Sequence, residues 1–166
     1  MHLKVGITGG IGSGKTTVCR IFETLDIPVY YADQRAKALM QEDEQLRRKI
    51  VELLGEEAYT SAGHLNGAYI SSRVFQDKRL LQALNGIVHP AVARDGDRWQ
   101  QSHKDKPYSL KEAALLFESG SYRYLDCVIE VFAPRELRLQ RVVQRDQASR
   151  EEVLAALGRP HAVTTT

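Results

Sequence analysis

Two cysteines, one tryptophan and a net charge of only +2 leave few of the usual signposts in this chain of 166 residues. Cys19 and Cys127 form no CxxC pair, and no histidine stands at metal-ligand spacing. A disulfide-framework mini-protein is thereby excluded, and two reduced, packed thiols are expected. The 23 lysines and arginines are nearly balanced by 21 acidic residues, which argues for neither nucleic acid nor a membrane surface as partner. Trp99 and the tyrosines lack the basic interleaving that stacks nucleic-acid bases. The apolar run Ala113–Phe117 is far short of the ~20 residues that a spanning helix needs. A strand pattern begins already at Leu3, leaving no room for a secretory signal. A cytoplasmic, soluble protein is expected, its oligomeric state left open. With 43% hydrophobic and 27% charged residues, a chain of this length buries about 70% of its unfolded surface without help from metals or disulfides.

Periodicity supplies an organisation. Leu3–Thr8 reads as a strand, Gly9–Gly14 as a glycine-rich turn, and Lys15 to about Leu25 as a helix with Val18, Ile21, Phe22 and Leu25 on one face. Ile27–Tyr31 reads as a second strand, so the chain opens on a strand–helix–strand unit with a right-handed crossover. The next strand is expected at Tyr108–Phe117, too distant for a single crossover helix. The interval reads as helices near 35–40, 42–54 and 77–87, with another opening near Pro90. A further strand is expected at Asp126–Phe132, then a helix with Pro134 in its first turn running to about Arg145. Ser149-Arg150-Glu151-Glu152 is a capping box that opens a last helix. The expected organisation is a nucleotide-binding core from 1–33 and 108–157, a helical subdomain at 34–107, and an irregular tail at 158–166.

Gly9-Gly10-Ile11-Gly12-Ser13-Gly14-Lys15-Thr16 matches the phosphate-loop pattern GxxxxGK[ST], with a strand before it and a helix after it. Glycines let successive N–H groups curl towards phosphate oxygens, and the helix start adds its positive dipole end. The binding set read here is Gly10, Ile11, Gly12, Ser13, Gly14, Lys15, Thr16 and Thr17. Lys15 can reach the β- and γ-phosphates, and the Thr16 hydroxyl can ligate magnesium. ATP and Mg²⁺ are the implied cofactors.

Five segments together resemble the dephospho-CoA kinase family. They are Gly6–Lys15, Ala32-Asp33, His89-Pro90, Leu115-Leu116-Phe117-Glu118 and Arg141 through Asp146. The resemblance implies a P-loop α/β fold with a parallel sheet in an order like 2-3-1-4, an inserted helical domain and a lid near 138–150. It further implies phosphorylation of the ribose 3′-hydroxyl of dephospho-CoA, a small-molecule substrate, by ATP. Asp33, which chemistry alone leaves between base and helix N-cap, becomes the catalytic base. His89 and Pro90 line the substrate site, with Thr8, Asp33 and Glu118 as further substrate contacts. Glu118, at a strand end, is also a candidate magnesium ligand beside Thr16, against the reading that it merely caps a turn. Arg138, Arg141 and Arg145 fall within roughly 60° on one helical face. Arg141 and Arg145 join Lys15 and Asp33 as the catalytic set, as lid arginines that neutralise the transferring phosphoryl group. Arg138, Arg73 and Arg79 read more readily as solvated charges.

Departures from the family pattern are also visible. Tyr31 stands where Asp-Ala-Asp is common, Ala114 where proline is usual, and a final strand expected after residue 157 is missing. Two rival readings follow: another small-molecule P-loop kinase, acting on a nucleoside monophosphate or a sugar acid, or a shortened nucleotide-binding chain with little catalysis.

Overall fold

Val5 to Thr8 is buried without alternation along the first strand, β1 (Leu3–Thr8), as befits a strand covered on both faces of a parallel sheet. The computed structural model describes residues 2–147 and 149–157; the expectations for 158–166, an irregular tail and no final strand, lie outside the described residues. Among the described residues, three further strands, β2 (Val29–Tyr31), β3 (Tyr108–Glu112) and β4 (Cys127–Glu130), join β1 in a parallel sheet in the order β2-β3-β1-β4. The order is the expected one. The loop after β1 leads into α1 (Lys15–Thr24), whose Val18, Cys19 and Phe22 pack with Val5, Ile7, Ile27 and Leu110. Burial, then the Glu112 and Glu23 carboxylates, push the Cys19 thiol up to about 11. Cys127, expected to be packed, is exposed instead. It sits on β4, which among the described residues pairs with β1 alone.

After β4 come α6 (Arg135–Asp146) and α7 (Arg150–Leu157), which share a small core of Leu139, Val142, Val153 and Leu157. The capping box forms as expected: Ser149 N–H donates to Glu152 Oε2 (2.9 Å), and Glu152 N–H donates to Ser149 Oγ (3.2 Å). Pro134 stands at the N-cap rather than inside the first turn.

These elements belong to one compact unit, Met1–Tyr31 with the chain from Ser102 on; Ala32–Gln101 forms a second. The second unit is helical: α2 (Ala32–Glu42), α3 (Glu44–Leu54), α4 (Gly67–Gln76) and α5 (Lys78–Gln101). Helix α4 was not among the expected helices. Its start is set by Asn66, whose side chain accepts from Tyr69 N–H at 3.2 Å, the usual N-cap contact. Within this unit α5 packs on α2, α3 and α4. Arg35 Nε and Nη2 grip Asp95 at 2.9 and 3.1 Å, tying α2 to α5.

Two strand and helix limits differ from expectation. Helix α5 runs through Pro90 rather than opening there. The apolar face of Leu84, Val88, Ala91 and Val92 is buried on both sides of the proline, and burial outweighs one lost backbone bond. Strand β3 ends at Glu112, not Phe117. Its pairing with β1 ends at Ile7↔Glu112, and the chain then turns so that Leu116, fully buried, packs over Gly6. Leu115-Leu116-Phe117-Glu118 is therefore a turn that closes over β1, and Glu118 is exposed on it.

Candidate active site

The loop between β1 and α1 makes three left-handed or otherwise positive-φ steps, at Gly9 (φ 150), Gly12 (φ 76) and Gly14 (φ 102). L-residues with side chains resist these conformations. At Gly12 a second constraint applies, because a Cβ there would lie 2.6 Å from the Arg138 carbonyl oxygen on α6. Loop and helix are in direct contact, and Ile11 packs against the α6–α7 core.

Side chains finish the arrangement. Lys15 Nζ donates to the Gly9 carbonyl at 2.7 Å, folded back over the loop it terminates. Arg141 Nη1 donates to the carbonyls of Gly12 (3.3 Å) and Ser13 (3.2 Å). Arg145 is held by its neighbour Asp146, Nε to Oδ1 at 2.6 Å and Nη2 to Oδ2 at 2.8 Å. That bond keeps the Asp146 carboxyl below the usual range. Arg138, read from sequence as a solvated charge, has its guanidinium against Gly10 and its Nε buried without a hydrogen-bond partner. Ser13 Oγ is buried without a partner as well.

A cavity of about 360 Å³ lies between the loop and α6. It is lined by Ile11 to Thr17, Arg20, Arg141, Val142 and Arg145. Four of these side chains are cationic and none is acidic, an environment that selects a polyanion. The cavity thus brings together six of the loop residues expected from sequence with Thr17 and two of the arginines. Arg20 is an addition; a basic residue four positions after the loop's threonine, one turn along the same helix face, is the signal that marks it.

The remaining sequence candidates are not among the residues that line this cavity. Thr8 is buried, with its hydroxyl directed to the Ala114 carbonyl at 3.4 Å. Asp33 is exposed in the first turn of α2, not in a loop before a helix, because α2 begins at Ala32 directly after β2. His89 and Pro90 are exposed in the middle of α5, and Arg73 and Arg79 are exposed on α4 and α5. Tyr31 is packed against the sheet core, and burial, with Glu23 nearby, pushes its hydroxyl up to about 12. It stays protonated at neutral pH and is no substitute for a carboxylate.

One carboxylate escaped the sequence reading. Glu112 is the last residue of β3, level with Ile7 of β1 and Tyr31 of β2. It is half-buried, and its charge reaches both Cys19 and Tyr31. The expected strand ran on to Phe117 and so hid the acid at its true end. Among the described residues no group of three or more His, Cys, Asp or Glu is poised to hold a metal. One threonine hydroxyl with a strand-end carboxylate fits Mg²⁺, which takes few protein ligands and completes its shell with phosphates and water.

A glycine loop of this form, ending in lysine and a helix and flanked by a 2-3-1-4 parallel sheet, defines the P-loop class of nucleotide-binding α/β proteins. Comparison with known proteins narrows this. Residues 3–160 match the family model described as dephospho-CoA kinase. The dephospho-CoA kinase of Bacteroides fragilis is 39% identical over 155 residues, covering 93% of this chain and 75% of that protein. That of Salinibacter ruber is 43% identical over 155 residues, covering 92% and 78%. Among solved structures, TT1252 from Thermus thermophilus superposes with a TM-score of 0.81 at 35% identity, covering 93% of this chain and 78% of that one. Dephospho-CoA kinase from Campylobacter jejuni gives 0.67 at 28% identity, covering 95% and 79%. The chain belongs to the dephospho-CoA kinase family.

Proposed function

We propose that this chain transfers the γ-phosphoryl group of ATP to the ribose 3′-hydroxyl of dephospho-CoA, giving coenzyme A and ADP, the last step of coenzyme A biosynthesis. The observation that carries this reading is a complete phosphate loop, with its lysine, in a chain that matches the family over residues 3–160. ATP binds with its phosphates against the amides of Gly10 to Thr17. Lys15 exchanges the Gly9 carbonyl for phosphate oxygens, a charge-assisted bond that is shorter and stronger.

Asp33 orients the 3′-hydroxyl and accepts its proton as the oxygen bonds to phosphorus and the bond to the ADP oxygen breaks. An ordinary aspartate is ionised at neutral pH, so the role needs no pKa tuning. His89 and Pro90 on α5 contact dephospho-CoA, and the helical unit Ala32–Gln101 is its subdomain. Arg141 and Arg145 stabilise charge on the transferring group, each giving up a local partner to do so. Thr16 and Glu112, with Glu118 as the further candidate, would hold Mg²⁺. When bound, that ion neutralises charge across the β- and γ-phosphate oxygens.

The test is magnesium-dependent ADP release from ATP, with and without dephospho-CoA, for the chain and for Asp33→Ala. Release that requires dephospho-CoA and falls by about 10²–10⁴-fold in the variant is expected. Release stimulated by a nucleoside monophosphate or a sugar acid instead would replace the acceptor, and ATP binding without release would replace the enzyme by a binding module.

A further inference from the structure

Of the cationic side chains lining the loop cavity, Arg20 is the one without a hydrogen bond or ion pair among the described residues. Lys15 is bound to Gly9, Arg141 to Gly12 and Ser13, and Arg145 to Asp146. Arg20 stands on α1 one turn beyond Thr16 and Thr17, about 6 Å along the axis from Thr16 at 1.5 Å per residue. Helical side chains lean back towards the N-terminus, so Arg20 leans towards the first turn of α1 and lines the cavity with Thr16 and Thr17. No acidic residue lines the cavity to neutralise it.

We infer that Arg20 is a nucleotide-binding residue that contacts the phosphate nearest the nucleoside, the α-phosphate of ATP and of ADP. The inference rests on the ATP-binding reading above and extends it to a residue outside the phosphate-loop pattern. The loop amides and Lys15 hold the β- and γ-phosphates. A phosphate chain lying along the α1 N-terminus therefore presents its remaining phosphate to the helix face of Thr17 and Arg20. Unlike the arginines of α6, Arg20 gives up no existing partner when it binds. It serves affinity for donor and product alike rather than the transition state.

The experiment is equilibrium titration of the full chain with ATP, ADP and inorganic triphosphate, for the unaltered protein, Arg20→Ala, Arg20→Lys and the charge control Lys104→Ala. Lys104 is exposed and lies outside the cavity. Arg20→Ala is expected to weaken all three ligands by about tenfold, the scale of one charged hydrogen bond. Arg20→Lys should recover part of the loss, and Lys104→Ala should match the unaltered chain. In steady state KM for ATP should rise while kcat holds, the mark of binding shared by ground and transition states. Unchanged affinities in Arg20→Ala, with the same melting temperature, overturn the inference. A loss confined to ATP overturns it by placing Arg20 at the γ-phosphate, and unaffected triphosphate binding overturns it by placing Arg20 on the base. Failure of the unaltered chain to bind ATP overturns the parent reading too, and so is told apart from failure of Arg20 alone.

Discussion

Gly12 shows how much of this site depends on what a residue does not carry. Its φ of 76 suits glycine, and a Cβ would meet both the Arg138 carbonyl oxygen at 2.6 Å and Val142 Cγ2 at 2.9 Å. Backbone oxygen cannot swing aside, so relief must come from moving α6 or flattening the loop. Gly12→Ala is expected to cost about 1–3 kcal/mol and to reduce ATP affinity, both measured by denaturant titration with and without nucleotide. Unchanged stability would show that the loop and α6 are less tightly engaged than the geometry states. The loop that ends in Lys15 and Thr16 was legible from the GxxxxGK[ST] spacing, because its residues are consecutive. Arg138 was not. A residue on a polar helix face reads as solvated until the fold lays that face on a loop more than a hundred positions earlier.

At the level of elements, the capping box of α7 makes one helix start sensitive to pH. The Ser149 N–H and hydroxyl both donate to Glu152, and they hold its carboxyl below the usual glutamate range. A group whose folded pKa is lowered stabilises fully above its unfolded value, near 4.3, and loses that contribution as pH falls through its folded value. Glu152→Gln should therefore show weaker amide-exchange protection of Ser149 than the unaltered chain at pH 6, with the difference vanishing at pH 2.5. A difference that persists at acid pH would contradict the charge-based account. The box itself was readable from four consecutive residues, and so was the start of α6 near Pro134. The limits of β3 and α5 were not readable, since Leu116 turned inwards to cover Gly6 and the buried face of α5 continued across Pro90.

On the scale of the whole molecule, nucleotide binding should be visible as stability. The loop, the sheet, α6 and α7 belong to one unit, so a ligand held by the loop opposes unfolding of all of them. Magnesium and ATP at a hundredfold excess over Kd are expected to add about 2.7 kcal/mol, several degrees in a melting scan. Lys15→Ala should lose most of that increment, and an equal increment in the variant would move phosphate binding away from the loop. The sequence by itself determined the phosphate loop and the family resemblance, because both are written in short motifs, and the strand order followed from that resemblance. It could not say which carboxylate ends β3, that Cys127 is exposed, or which cations meet in one cavity. Those depend on where pairing stops and which faces are laid together, and that is decided by contacts between residues far apart in the chain.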